Sequence, residues 1–243
     1  MPVILGIIPK FSFWKELCCV SLQIAIKFFE RKTCSIDQIT YIKGENQLKA
    51  ALILENGKVF SGQAIGAAGT RVFELVFNTS MVGDQEVLTD PSYAGQGVVM
   101  TYPLIGNYGV NGEDNESSRA WPEAFIVRHL SRRGSNFRCE GTLEDFLIEN
   151  DIVGIEGVDT RAITRILRDE GTMNAMIAPE GTDVEKALEQ IKAYKITDAV
   201  GRVTCKEPYT IKGEGCSVAM LDFGVKMNML RSLINRGCAV TVF

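Results

Sequence analysis

The chain has 243 residues, of which 46% are apolar and 23% charged, so it can bury the core of one large domain or of two modest ones. These proportions are those of an ordinary soluble globular protein. Its formal net charge of −4 gives no reason to expect a nucleic acid or an anionic membrane as partner, because both favour a basic surface.

Residues 1–47 differ in character from the rest of the chain and are interpreted as an N-terminal extension. Charged residues interrupt the apolar runs, so none approaches the roughly 20 residues that a membrane-spanning helix needs. The order of charged and apolar residues fits neither a secretory signal nor a transit peptide. Leu17, Val20, Ile24 and Phe28 recur at helical spacing, which predicts an amphipathic helix. Either this helix packs on the adjoining domain, or the start codon is assigned too far upstream; the sequence leaves both open.

The next segment has the pattern of β-strands joined by short turns. Residues 50–55 are predicted to form a strand, and Asn56-Gly57 before residues 59–62 predicts a hairpin. Further strands are predicted over residues 71–78, 95–103 and 124–130.

Three helices are predicted after these strands, each beginning at a residue that can cap it. The predicted N-caps are Thr142, Asp159 and Thr182, since such side chains accept hydrogen bonds from the first turn of a helix. Gly171 is expected to end the second helix. The expected apolar faces are Ile163, Ile166 and Leu167 in the second helix, and Ala187, Leu188 and Ile191 in the third. Strands and then helices predict a β-rich layered α/β domain over residues 48–200.

A second domain is predicted to begin after a linker. Residues 201–215 contain Pro208 and three glycines and are interpreted as that linker. Residues 216–222 form a near-continuous apolar run, which is typical of a strand buried on both faces of a parallel sheet. A helix is expected next, ending at Gly237, and residues 239–243 begin another strand. The inward face of this helix is expected to consist of Met229, Leu230, Leu233 and Ile234.

The order strand, helix, strand is the opening unit of a doubly wound parallel-sheet α/β domain. Residues 216–243 are too few to complete such a domain, so the fold class is predicted as α/β with an incomplete second domain. An unfinished sheet would leave residues 239–243 as an unpaired apolar strand, which is an aggregation hazard.

The cysteine pattern indicates a reducing compartment. The sequence has seven cysteines, an odd number, and no C-x-x-C pair, so it suggests neither a disulfide framework nor a zinc site. We therefore expect reduced thiols and a cytoplasmic location. Cys216 and Cys238 are expected to be core residues, and the only histidine, His129, is expected to be a surface or strand residue.

Several long motifs succeed one another in the body of the chain. They are Phe77-Asn-Thr-Ser-Met81, Gly83, Gln85-Glu86, Leu88-Thr-Asp-Pro-Ser-Tyr93, Thr101-Tyr-Pro103, Ile105-Gly-Asn107, Glu116-Ser-Ser118, Ser135-Asn-Phe-Arg138, Asp159-Thr-Arg161, Thr164-Arg165 and Leu221-Asp-Phe-Gly-Val-Lys-Met-Asn-Met-Leu230. Together they resemble the small subunit of carbamoyl-phosphate synthetase over about residues 48–243. The last motif resembles the first strand and helix of that family's class I glutamine amidotransferase domain.

The resemblance implies a subunit that hydrolyses glutamine and passes the ammonia to a large subunit. The large subunit makes carbamoyl phosphate from bicarbonate and ATP, for arginine and pyrimidine synthesis. The expected partners are therefore the large subunit and glutamine, with no nucleic acid and no membrane. No cofactor or metal is expected in this chain, since ATP and Mg are used by the large subunit.

In this family a Cys thiolate in a G-x-C-x-G turn attacks the amide, assisted by a His and a Glu. That turn does not occur in the sequence, so no catalytic residue is assigned and the chain alone is predicted to be inactive. Ser92 matches a position of the family that helps bind glutamine, although a serine after Pro91 also suits a turn. Asp84 stands where the family often has an aromatic residue, and His129 where an acidic one is expected.

Three interpretations remain open at this point. The chain is the front part of an enzyme subunit, or a binding module that docks onto a large subunit without doing chemistry, or an inert fragment.

Overall fold

The computed structural model describes residues 48–243, so the helix predicted within the N-terminal extension lies outside the described residues. Seven strands close into a barrel in the order β1-β2-β8-β6-β4-β3-β9. The strands of the barrel are β1 (Lys49–Leu54), β2 (Val59–Gly66), β3 (Arg71–Asn78), β4 (Gln96–Met100), β6 (Ala124–Ile126), β8 (Val153–Glu156) and β9 (Met173–Pro179). The α/β class is confirmed, and closure into a barrel is a feature that the sequence pattern does not specify.

The barrel contains both antiparallel and parallel strand pairs. The β1–β2, β1–β9, β2–β8 and β3–β9 pairs are antiparallel. The β3–β4, β4–β6 and β6–β8 pairs are parallel. Four neighbouring strands therefore run in one direction, and the segments after them leave the barrel at the same end.

The strand residues are apolar on the faces that meet neighbouring layers. Leu52, Phe73 and Leu75 are fully buried inside the barrel. The opposite face of β1 carries Ala51 and Ile53, which pack with a helix on the outside of the barrel. Because β1 is covered on both faces beyond Lys49, residues 50–54 are all apolar rather than alternating.

Five helices and a 3-10 turn belong to the barrel part. They are α1 (Asp84–Thr89), the turn Pro91–Tyr93, α2 (Leu143–Glu149), α3 (Thr160–Glu170), α4 (Val184–Ala193) and α5 (Ala199–Val203). Thr142 and Asp159 cap α2 and α3 as predicted, each accepting a hydrogen bond from the third residue beyond it. The cap of α4 is Asp183 and not Thr182, whose hydroxyl donates instead to the carbonyl of Pro179.

The strand predicted over residues 124–130 is divided. It forms β6 and a separate strand β7 (His129–Leu130), which pairs in parallel with β5 (Leu104–Ile105) outside the barrel. The chain changes neighbours after Val127, so one apolar run serves two sheets.

The C-terminal segment forms a three-stranded sheet with one helix. Its elements are β10 (Tyr209–Ile211), β11 (Ser217–Met220), α6 (Met227–Ile234) and β12 (Ala239–Val242). The strand order is β10-β12-β11, with β11 and β12 parallel and β10 antiparallel to β12. The predicted strand–helix–strand unit is therefore present, and part of the predicted linker is the strand β10.

Three expectations for this segment are wrong. β12 is not an exposed edge, because it is the central strand and Val240 and Val242 are fully buried. β11 is not buried on both faces, because it is an edge strand whose residues are exposed or half-buried. Met229 does not face inward: it is 52% exposed, whereas Leu230 is the buried residue of α6.

Candidate functional site

The site begins at α1 and the turn directly after it, within the motif that contains Ser92. Asp90 caps the turn, and its Oδ1 accepts a hydrogen bond of 2.9 Å from the Ser92 amide. The Ser92 side chain is exposed. The carboxylate of Asp90 thus holds the backbone of this turn.

A second loop, residues 222–226, lies against this turn. Asp222 lies just beyond the carboxyl end of β11, where its Oδ1 accepts hydrogen bonds of 2.9 Å from the amides of Gly224 and Val225. Its Oδ2 accepts one of 2.8 Å from the Cys205 amide. Burial alone would raise the pKa of Asp222, but these hydrogen bonds together outweigh it and lower the pKa. The loop is therefore organised around an ionised carboxylate.

The barrel caps the helix of the C-terminal segment. Lys226 is the N-cap residue of α6, and its side chain makes no capping hydrogen bond. Instead, Glu116 accepts hydrogen bonds from the first two amides of the helix: its carbonyl from Met227 at 2.7 Å and its carboxylate from Asn228 at 3.0 Å. The Asn228 amide side chain donates to the same carboxylate. A buried carboxylate at a helix N-terminus satisfies free N–H groups and complements the helix dipole.

Ion pairing adds a further connection between the two parts. Lys226 Nζ lies 2.7 Å from Asp90 Oδ2, and this hydrogen bond is the main cause that raises the pKa of the lysine. Arg231 on α6 donates to the carbonyl of Glu113 at 2.8 Å. The residues around Asp90, Glu116 and Lys226 therefore form one junction between the barrel and the C-terminal segment.

A cavity of about 580 Å³ opens beside this junction, and we call it the junction cavity. Its lining includes Asn78, Ser80, Asp84, Asp90, Glu116 and Lys226. Ser92 does not line it. The cavity is rich in carboxylates, with lysine and arginine side chains at its walls.

Asp84, the residue that departs from the family pattern, is buried at this cavity with 6% of its surface exposed. Its Oδ2 accepts a hydrogen bond of 2.7 Å from the Gly106 amide, whereas its Oδ1 has no partner among residues 48–243. Burial raises the pKa of Asp84 more than the Gly106 hydrogen bond lowers it. Burial also raises the pKa of nearby Glu86, and the charges of Asp114, Glu116 and Asp84 add to that effect.

The remaining residues singled out in the sequence lie elsewhere. His129 is an exposed strand residue, as predicted. Cys238 is buried as predicted, but Cys216 is exposed and is not a core residue. Within residues 48–243 there is no group of three or more His, Cys, Asp or Glu side chains placed to hold a metal ion. No helix in the same span is both long and apolar enough to cross a bilayer.

Sequence reasoning found the segments of this site but not their pairing. The Glu116-Ser-Ser motif and the segment around Lys226 were both part of the resemblance, yet Glu116 and Asn228 are 112 positions apart. One signal for this pairing was available: the side chain of Lys226 does not cap α6. The free N–H groups at the start of that helix therefore need a hydrogen-bond acceptor from another segment.

The chain therefore combines a closed barrel with a parallel strand–helix–strand unit, joined at the motifs described above. It has known relatives. The chain matches the family described as carbamoyl-phosphate synthase small chain, CPSase domain, over residues 52–177. A carbamoyl phosphate synthase small chain of Clostridium perfringens is 52% identical over 196 residues, covering 81% of this chain and 56% of the relative. The chloroplastic small chain of Arabidopsis thaliana is 43% identical over 211 residues, covering 79% and 49%. A pyrimidine-specific small chain of Halalkalibacterium halodurans is 44% identical over 196 residues, covering 80% and 54%.

The chain belongs to the carbamoyl-phosphate synthase small chain family, as the resemblance predicted. It spans about half the length of the curated relatives that it matches. Since one of these relatives is named chloroplastic, the cytoplasmic location stays a prediction.

Proposed function

We propose that the chain is the small-subunit part of a glutamine-dependent carbamoyl phosphate synthase. The complete small subunit would hydrolyse glutamine, and a large subunit would use the ammonia with bicarbonate and ATP to make carbamoyl phosphate. The observation that carries this proposal is the family match across the barrel. The parallel β11–α6–β12 unit supports it, because a glutaminase domain of this kind begins with such a unit.

The chain by itself is proposed not to hydrolyse glutamine. A nucleophilic cysteine needs a lowered pKa, because the thiolate is the attacking species. The sulfur atoms of Cys216 and Cys238 lie 3.5 Å apart, and this contact, with burial, raises the pKa of Cys238. Burial, with the neighbouring Asp222, raises the pKa of Cys205. The thiols of Cys205 and Cys238 are therefore poorly suited to attack an amide.

Ser92 is proposed to contact glutamine in the longer protein. Its amide is held by Asp90, and Asp90 in turn binds Lys226 of the C-terminal segment. The backbone of Ser92 is therefore held at the junction, and its hydroxyl can donate to or accept from the polar ends of glutamine.

The first experiment is co-purification of this chain with a carbamoyl phosphate synthase large subunit, and then synthesis assays with glutamine and with free ammonia. We expect a complex that makes carbamoyl phosphate from ammonia but not from glutamine. Glutamate release by the chain alone would refute the proposed inactivity. Failure to form any complex would refute the small-subunit role of this span.

The role of Ser92 is tested in a version long enough to hydrolyse glutamine. Ser92→Ala should raise the KM for glutamine and leave ammonia-dependent synthesis unchanged. The matched control is Ser61→Ala, because Ser61 is an exposed serine on β2 that lies away from the junction. An unchanged KM in the Ser92 variant would mean that Ser92 does not contact glutamine and only forms part of the turn.

The alternative is a non-catalytic docking module. The closed barrel, whose strands lie within residues 49–179, favours it, because a closed sheet has no missing strand and can present a stable surface. Sequencing the gene separates the two proposals, since a reading frame that continues past Phe243 into a G-x-C-x-G turn supports the enzyme subunit.

A further inference from the structure

A second cavity lies at one end of the barrel and shares no lining residue with the junction cavity. It has a volume of about 750 Å³. The four parallel strands β3, β4, β6 and β8 supply its walls, because Thr79, Thr101, Arg128 and Asp159 all lie within three residues of the strand ends. Binding sites in parallel sheets lie beyond the carboxyl ends of the strands, where loops converge.

Helix α3 completes this cavity and gives it its charge. Arg161, Arg165 and Arg168 line it at helical spacings of four and three, so they share one face of α3. Arg168 is paired with Asp169 at 2.8 Å. Arg161 and Arg165 make no salt bridge within residues 48–243, and two like charges four positions apart on a helix repel each other. We call this space the arginine cavity.

Arg128 is a fourth arginine in the lining, and the third without a salt bridge among residues 48–243. Its Nη1 donates to the carbonyls of Gly157 and Val158 at 3.3 Å, which fixes the guanidinium beside the start of α3. Its other N–H groups have no protein acceptor among residues 48–243. The one carboxylate in the lining is Asp159, whose Oδ1 is already engaged by the Ala162 amide as a helix cap. The cavity therefore has a surplus of positive charge in a chain whose net charge is −4.

We propose that the arginine cavity binds a small molecule carrying two or more phosphate-type oxyanion groups. The ligand groups would be the guanidinium forks of Arg128, Arg161 and Arg165, assisted by the hydroxyls of Thr79 and Thr101. Guanidinium groups match the geometry of phosphate oxygens, and the N-terminus of a helix adds a favourable dipole.

The size and chemistry of the cavity favour a small polyanion over an acidic protein segment. Its volume lies within the range of small-molecule sites, and it exceeds what one phosphate fills. An acidic peptide carries one carboxylate per residue. Placing two or three carboxylates in the cavity would therefore also bury the peptide's backbone N–H and C=O groups, which need hydrogen-bond partners of their own. A phosphate chain presents several oxyanions without that cost. The inference does not depend on the proposed function.

The test is titration calorimetry of the full chain with inorganic pyrophosphate, using inorganic phosphate as the weaker comparison. We expect pyrophosphate to bind more tightly than phosphate and its affinity to fall as salt is added. Arg161→Gln and Arg165→Gln should each weaken pyrophosphate binding by about tenfold or more, the effect of losing one charged hydrogen-bond donor. Both residues are exposed, and glutamine has a helix propensity close to that of arginine, so the fold should persist.

The matched control is Arg133→Gln. Arg133 is an exposed arginine outside the cavity, and its side chain makes no ion pair among residues 48–243. Its replacement should leave pyrophosphate binding unchanged. The proposal is overturned if pyrophosphate does not bind at millimolar concentration, or if all three variants bind it alike. It is also overturned if an acidic peptide binds the cavity and pyrophosphate does not.

Discussion

Replacing Asp84 with asparagine should stabilise the protein at neutral pH. The carboxylate is 6% exposed, and its Oδ1 has no hydrogen-bond partner among residues 48–243. A buried polar group left unsatisfied costs about 1–3 kcal/mol. Two effects reduce the expected gain: the new amide N–H₂ is also unpaired, and an acidic residue in the first turn of α1 contributes roughly 0.3–1 kcal/mol through the helix dipole. A buried unpaired charge costs more than a buried unpaired neutral amide, and asparagine keeps the oxygen that accepts from Gly106, so the expected net gain is about 1 kcal/mol at most.

The pH dependence provides the sharper test of this reasoning. Burial raises the pKa of Asp84 above its ordinary value of 3.8, so the folded state binds a proton more readily than the unfolded state. The carboxylate therefore destabilises the fold at pH 7, and this loss disappears as pH falls through the raised pKa towards 3.8. The stability difference between Asp84→Asn and the natural chain should shrink over that window.

Urea unfolding at pH 7 and at several lower values measures this difference. In thermal unfolding at pH 7, a gain of about 1 kcal/mol would raise the Tm by roughly 2–4 °C for a chain of this size. The control is Glu189→Gln, an exposed residue of α4 whose change should have no effect. The reasoning is refuted if Asp84→Asn is less stable than the natural chain at pH 7, or if the difference does not change with pH.

Three further predictions concern packing and the junction. Gly97→Ala should destabilise the fold by about 1–3 kcal/mol, because the added methyl group overlaps the buried ring of Phe73. Asp222→Asn should cost about 2 kcal/mol, since the asparagine N–H₂ cannot accept from Cys205 or replace the charge. Because the pKa of Asp222 is lowered, its contribution is fully present above the unfolded-state pKa and is lost as pH falls through the folded-state pKa, so the cost of Asp222→Asn should fade in acid. Glu116→Gln should weaken the cap of α6 by about 1–2 kcal/mol and speed hydrogen exchange of the first amides of that helix.

Two of these changes have a matched control, and each of the three has a result that would contradict it. Gly112→Ala adds a methyl group in ordinary contact distance and should be tolerated; equal losses at both glycines would contradict the overlap with Phe73. Glu149→Gln alters an exposed carboxylate and should leave α6 unchanged. Unchanged exchange in α6 after Glu116→Gln would mean that the barrel does not cap this helix. A cost of Asp222→Asn that stays constant down to low pH would contradict its lowered pKa.

Local signals in the sequence predicted local structure well. The β1–β2 hairpin forms at Asn56-Gly57, and Thr142 and Asp159 cap their helices through bonds that span three residues. The predicted cap of α4 is wrong by one residue, because Thr182 and Asp183 are both favourable N-cap residues. In the fold the hydroxyl of Thr182 donates to the carbonyl of Pro179, so Asp183 caps the helix.

Pairings between distant segments could not be predicted in the same way. Closure of the barrel needs β3 to pair with β9, and neither strand carries a local signal for its partner. The same holds for β10, whose short sequence with Pro208 before it suggested a linker but which pairs with β12. The burial of β12 results from that pairing, so the error about its exposure has the same origin as the error about the linker.

The two cavities share one stretch of backbone at the end of β3. Thr79 lines the arginine cavity, whereas Asn78 and Ser80 on either side of it line the junction cavity. Successive side chains of an extended chain point to opposite sides, so a single segment can form a wall of both spaces. One of these spaces is rich in carboxylates and the other in guanidinium groups, and the peptide units around Thr79 separate them. A variant that tests one cavity must therefore keep the backbone of residues 78–80 in place, which is why arginine variants on α3 report on the arginine cavity more cleanly than changes at Thr79.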